Sequence, residues 1–217
     1  TAPGEIKVVR DKIEVPTVTT KSRSDGIFVI QLMSFSSQSP NLFRNALREF
    51  VTSGDTKLIL DLRGNPGGYL EAAVDMASWF LPSGKIIVTE DYAGHAQNIV
   101  HRSRGYDIFN ENLKMVVLVD RGSASASEIL ADALRYYEKA KLVGDTTFGK
   151  GSVQELIDIT PETALKITVA RWLGPNGKQI PNTGIVPDVE VKITEAEVKA
   201  EKDPQMDKAL ELLAARD

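Results

Sequence analysis

The stretch RGSASASEILADAL at residues 121–134 decides how the chain is read. It follows an apolar run, MVVLV at 115–119, and it opens into a pattern that puts Ile129, Leu130, Ala133 and Leu134 on one side of a helix. That order spells a strand, a tight glycine-containing turn and a helix start. Such a turn exposes a hydroxyl beside free backbone N–H groups, where the helix dipole favours developing negative charge. Three serines compete for the nucleophile's place: Ser123, Ser125 and Ser127. SASE at 125–128 also fits a capping box, in which Ser125 would only cap the helix and Glu128 would reach back. The residues alone leave that rival open.

A nucleophile also needs a base. Both histidines, His95 and His101, lie in a polar, loop-like stretch, and a Ser-His-Asp triad is poorly supported. TFGKGSVQ at 147–154 offers a lysine instead. Strand alternation over 147–159 puts Lys150, Ser152 and Gln154 on one face, and a glycine on each side lets Lys150 approach another backbone. A lysine buried at such a place loses its proton more easily and can deprotonate a serine, which is the Ser-Lys form of the nucleophile-base pair.

Upstream, LILDLRGNPGG at 58–68 joins a nearly continuous apolar strand, of the kind buried on both faces, to another glycine-rich turn. Adjacent glycines ahead of a helix expected over 69–80 leave backbone N–H groups uncovered. A plain strand-to-helix turn and half of an oxyanion hole are both open readings of those residues.

With 217 residues and 42% hydrophobic content, the chain is long enough for one well-buried core. A net charge of -4 and a pI near 5.4 give no sign of a nucleic-acid-binding surface. The absence of cysteine excludes disulfides and thiolate sites without deciding the compartment. No apolar run reaches membrane-spanning length. Residues 4–18 read as one or two strands, and 26–32 as a short apolar strand ending in SFSSQSP. A helix is expected from 40 to 51, capped by Ser39 with Pro40 in first position and ended by Gly54. Residues 85–90 read as a strand and 91–112 as a polar excursion over the site, contributing to a substrate groove. His95 and His101 lack an accompanying carboxylate cluster, so no metal site is expected there. Strands are expected at 141–144, 165–173 and 184–191, and a charged tail with a helix from 204 to 215 docks on the core or on a second subunit.

The four motifs RGSASASEILADAL, TFGKGSVQ, LILDLRGNPGG and GIVPDVEV together resemble the tail-specific, or carboxyl-terminal processing, serine proteases, in that family's order over about 27–191. The resemblance implies an α/β fold: a mixed sheet flanked by helices, a crotonase-like or ClpP-like core and a smaller β-rich cap region. It selects Ser125 as the nucleophile, Lys150 as the base and Gln154 as the residue that orients the lysine. The Ala126 amide and that of Gly67 or Gly68 become the oxyanion hole. No metal or organic cofactor is called for. Asp188 is structural in this reading.

In domain terms the resemblance implies a single protease core over 1–217. Residues 1–25 form the β segment that follows a PDZ domain in the family, 26–191 the catalytic core and 192–217 the helical tail. No PDZ-sized region precedes it, and because the chain begins at Thr1 it is read as a trimmed or processed product. Implied partners are unfolded or C-terminally tagged protein segments as substrates, a PDZ domain or adaptor outside this chain and a homo-oligomeric copy, in a bacterial extracytoplasmic compartment. Two rival classes remain: a catalytically silent binding module on the same fold, and a crotonase-like acyl-transfer enzyme.

Overall fold

The computed structural model describes residues 15–109 and 112–215. Among the described residues, ten strands and five helices follow one another: β1 (Val18–Ser22), β2 (Ile27–Leu32), α1 (Ser39–Ser53), β3 (Lys57–Asp61), α2 (Leu70–Ala77), β4 (Ile86–Asp91), β5 (Ile99–Arg102), β6 (Lys114–Val119), α3 (Ala126–Tyr136), β7 (Lys141–Gly144), β8 (Ser152–Thr160), β9 (Thr163–Leu173), β10 (Val189–Glu190), α4 (Glu195–Lys199) and α5 (Pro204–Ala214). They form a six-stranded sheet in the order β1-β2-β3-β6-β7-β10 and a four-stranded sheet in the order β5-β4-β9-β8. In the larger sheet β1 is antiparallel to β2 and every other pairing is parallel. The fold is therefore α/β with a mixed main sheet, and the smaller sheet is antiparallel.

Period-2 alternation explains why β3 and β6 read as continuous apolar runs. Leu58, Leu60, Met115, Val117 and Val119 pack with Phe43, Leu47 and Phe50 of α1, Met76 of α2 and Ile129 and Leu134 of α3. Ile59, Val116 and Leu118 point the other way, against Ala209 and Leu213 of α5. Each such side chain, taken from water, is worth about 1.5–3 kcal/mol. The tail helix thus covers the sheet's second face.

Local chemistry differs from expectation at several elements. Ser39 does not cap α1: Gln38 holds the N-cap position and Ser39 Oγ donates to the Ser36 carbonyl, while Gly54 ends the helix in left-handed geometry as expected. The excursion after β4 is not structureless, because β5 pairs antiparallel with β4 within it. The strand expected over 184–191 is reduced to the two residues of β10. A short helix, α4, starts at a capping box between Thr194 and Glu197 that pattern reading passed over. The strands expected over 4–18 fall outside the described residues except at their end, where Val18 opens β1.

What positions the site is the parallel block β2-β3-β6-β7. All four strands end at the same edge of the sheet, the usual place for a site in open α/β sheets.

Candidate active site

The turn after β6 holds Ser125 at φ 55 and ψ −115, a left-handed conformation that a serine adopts only when its surroundings impose it. Its neighbours are committed elsewhere. Ser123 is wholly buried, donates to the Leu62 carbonyl at 2.8 Å and accepts from the Asp120 amide at 3.0 Å. Ser127 is also wholly buried and donates to the Asn65 carbonyl at 2.9 Å. Ser125 is half-buried, and although it occupies the N-cap of α3 its side chain makes no capping hydrogen bond. Glu128 does reach back, accepting from the Ser125 amide at 2.9 Å. The Glu128 amide also faces Ser125 Oγ in the capping-box arrangement but falls short of a hydrogen bond, and Ser125 Oγ donates to no acceptor among the described residues.

The 147–150 loop docks directly onto this turn. Phe148 N donates to the Ser123 carbonyl at 2.9 Å, and Thr147 Oγ1, Gly149 N and Lys150 N all donate to the Glu128 carboxylate. Lys150 is half-buried rather than buried, because the loop sits at the rim of a cleft. Among the described residues no carboxylate lies within ion-pair distance of its Nζ, and no hydrogen bond joins Nζ to Ser125 Oγ.

The glycine turn after β3 lies across from Ser125. A Cβ on Gly67 would meet the Ala124 carbonyl oxygen at 2.6 Å, Ser125 Cβ at 2.8 Å and the Ala126 nitrogen at 2.9 Å, so only glycine permits this approach. The Gly67 amide is already used, donating to Asn65 Oδ1 at 2.9 Å. Gly68 is exposed, and its amide has no protein acceptor among the described residues. Its backbone is held instead by a parallel bridge to Phe35, in which Phe35 N donates to the Gly67 carbonyl and Tyr69 N to the Phe35 carbonyl. The Ala126 amide is likewise without an acceptor among the described residues. Of the two glycines, geometry leaves Gly68 as the free donor.

Gln154 lines the same cleft as Lys150, together with Gly64, Pro66, Arg121, Gly122, Ala124, Phe148, Gly149 and Ser152. It is exposed and forms no hydrogen bond with Lys150. β8 begins only at Ser152, so strand alternation does not reach Lys150, yet Lys150, Ser152 and Gln154 line the one cleft. His95 and His101 are not together at the site: His101 Nε2 lies 2.7 Å from Glu90 Oε1, and His95 lines a separate depression with Tyr92 and Arg171. Carboxylates from Glu90 and Glu71 do approach His101, contrary to expectation, but no group of three metal-ligating side chains forms among the described residues. Asp188 accepts from the Leu142 amide at 2.8 Å and pairs with Arg135.

Two residues matter more than their sequence suggested. Asn65 is wholly buried and knits three strand ends together: Nδ2 donates to the Leu32 carbonyl, Oδ1 accepts from Gly67 N, and its carbonyl accepts from Ala124 N and Ser127 Oγ. A polar residue directly before Pro66 in a glycine-rich turn was the available clue. Arg63, at the head of the same turn, bonds Asp61 and Asp203 through paired nitrogens. Burial disfavours its charge, yet those hydrogen bonds raise its pKa overall and keep the guanidinium charged. Through Asp203, α5 is tied to the glycine turn.

An α/β core with a glycine-framed serine turn and a lysine loop docked on it is the layout of a hydrolytic fold. The chain belongs to peptidase family S41, whose model matches residues 26–191. It is similar to the carboxy-terminal processing protease CtpA of Bacillus subtilis (strain 168), 35% identical over 189 residues, covering 87% of this chain and 40% of that protein. It is also similar to a probable CtpA-like serine protease of Staphylococcus aureus (strain COL), 36% identical over 187 residues, covering 86% and 37%. Among solved structures, a photosystem II D1 C-terminal processing protease superposes with a TM-score of 0.74 at 30% identity, covering 85% of this chain and 50% of that one. The chain therefore spans about two fifths of the length of these curated relatives.

Proposed function

We propose that this chain is the catalytic core of a carboxyl-terminal processing serine endopeptidase working through Ser125 and Lys150. The observation that carries the reading is the unequal fate of three serines in one turn. Ser123 and Ser127 spend their hydroxyls on backbone carbonyls, while Ser125 keeps its own at a strained position beside the Lys150 loop.

Lys150 Nζ, unprotonated, takes the Ser125 proton as Oγ attacks the scissile carbonyl. The Gly68 and Ala126 amides receive the oxyanion of the tetrahedral intermediate, aided by the N-terminus of α3. Lys150 then protonates the leaving amine, and the Lys150 amine, neutral again, deprotonates the water that hydrolyses the acyl-enzyme. The missing Ser125–Lys150 hydrogen bond fits a substrate-free site, since such contacts are often long until substrate binds. Gln154, on the same cleft wall, is the candidate for steadying Lys150 once the cleft is filled. The family resemblance carries the substrate class with it, unfolded or tagged C-terminal segments, and an extracytoplasmic place of action.

The test is hydrolysis of casein by the chain and by Ser125→Ala and Lys150→Ala variants. Loss of cleavage in both, with melting unchanged, supports the dyad. Cleavage that survives Ser125→Ala overturns the nucleophile. A serine-reactive fluorophosphonate separates this reading from a silent module or an acyl-transfer enzyme, because it should label Ser125 only if that hydroxyl is activated.

A further inference from the structure

Glu128 is a carboxylate with no solvent exposure, and it forms no ion pair among the described residues. A buried charge in that position is costly unless its oxygens are fully hydrogen-bonded. They are. Oε1 accepts from Thr147 Oγ1 at 2.6 Å and from Gly149 N at 2.8 Å, and Oε2 accepts from Ser125 N and Lys150 N, each at 2.9 Å. Four donors fill the roughly four lone-pair directions of an ionised carboxylate. A capping role accounts for one of these bonds, that from Ser125 N. The other three go to a loop that is remote in sequence and carries Lys150.

The distribution over the two oxygens is informative. Oε2 alone bridges the backbone nitrogens of the two residues assigned as nucleophile and base. Neither residue could shift against the other without lengthening a charge-assisted hydrogen bond. Oε1 fixes the carboxylate plane through Thr147, whose Oγ1 is itself held by the Ile185 amide at 2.7 Å. Ser125 needs such an anchor, because its left-handed backbone would otherwise relax.

We propose that Glu128 is the positioning residue that sets the distance between Ser125 and Lys150, holding both backbones on one carboxylate oxygen. The inference rests on the Ser125–Lys150 reading. Glu128 touches no reacting atom and acts only through the two residues it anchors.

The test compares Glu128→Gln and Thr147→Val with the parent chain for casein kcat and KM, fluorophosphonate labelling of Ser125 and thermal melting. A glutamine keeps the volume, but its NH2 faces two of the four donors whichever way it turns. The expected result is a fall in kcat of about 100-fold, the cost of a misplacement near 1 Å. KM stays within a few-fold, and labelling slows in parallel. A role confined to stability would lower the melting temperature and leave kcat per folded molecule unchanged, which overturns the proposal. If Glu128→Gln does not fold, Thr147→Val decides: kcat falls about 10-fold at constant KM, the lower range for one hydrogen bond to a charged group, and an unchanged kcat overturns it. If the parent chain neither cleaves casein nor labels at Ser125, the dyad reading fails separately. Amide hydrogen exchange then tests the anchoring itself: Ser125 and Lys150 must lose protection together in Glu128→Gln, and retained protection at either one overturns it.

Discussion

Replacing Gly68 with alanine tests the oxyanion assignment where the two glycines part. Gly68 has a φ of +143, a region essentially reserved for glycine. An added Cβ would meet the Phe35 carbonyl carbon at 2.8 Å, with the carbonyl oxygen closer still. Relaxed carbon contacts lie at about 3.5–4.0 Å, so backbone must move by about 1 Å at the Phe35 bridge. That displacement acts directly on the Gly68 amide. A donor lost from an oxyanion hole costs about 100- to 1000-fold in kcat, and the backbone strain costs about 1–3 kcal/mol of stability.

Gly54→Ala is the matched control. Gly54 also has a positive φ, +78, but an added Cβ there meets nothing within 4 Å, and it caps α1 away from the cleft. It should lose about 1 kcal/mol, or about 2–4 °C in Tm, with kcat unchanged. The assay is casein hydrolysis per folded molecule, with Tm measured alongside. A folded Gly68→Ala variant that keeps kcat within a factor of about three refutes Gly68 as the oxyanion donor.

Three further outcomes follow from the same geometry. Ser123→Ala removes two hydrogen bonds from a wholly buried hydroxyl; it should cost about 1–3 kcal/mol in thermal melting while Ser125 still labels with fluorophosphonate. Burial alone would raise the Asp203 pKa, but hydrogen bonds from Arg63 and the Met206 amide outweigh it and hold the group below the ordinary range. Its contribution is therefore present above about pH 4 and lost as pH falls further, so Asp203→Asn should lower Tm at pH 7 and converge with the parent chain in acid. Asp132 is the opposite case: burial raises its pKa, with Arg135 offsetting only part. Its charged form costs stability at neutral pH, so Asp132→Asn should raise Tm at pH 7, and that gain should vanish where acid protonates the aspartate in both states.

The sheet core was legible because its signal is local. LILDL and MVVLV are apolar at every position except Asp61, as a strand covered on both faces requires, and α1–α3 and α5 supply those two faces. Ser125 and Lys150 were singled out by motif order, not by periodicity, and the structure brings their two turns together on Glu128. Choosing between Gly67 and Gly68 was out of reach, because it depends on where the Asn65 side chain points. Gln154 and Lys150 were placed by strand alternation, but β8 begins only at Ser152, because the Gly149 and Lys150 amides turn to Glu128 instead of a neighbouring strand, and nothing local in the sequence marks that start. The three further bonds of Glu128 were invisible for a related reason. They run to a loop 19 to 22 residues away, while capping geometry explains only the bond to Ser125.

The order of strands explains why these distant motifs meet. β2, β3, β6 and β7 are neighbours and parallel, so their carboxyl ends deliver Phe35, the glycine turn, the serine turn and the lysine loop in spatial sequence along one edge. Each neighbouring pair is then stitched by a polar group rather than by apolar packing. The Phe35 bridge holds the first junction, Asn65 and Ser123 the second, and Glu128 the third. Apolar contacts are adaptable, whereas hydrogen bonds lose strength steeply with misalignment. The site proposed above, which would aim two amides and a hydroxyl at one carbonyl, gains most from junctions of the second kind. That accounts for buried Asn65, Ser123, Ser127 and Glu128 at the carboxyl ends of the central strands.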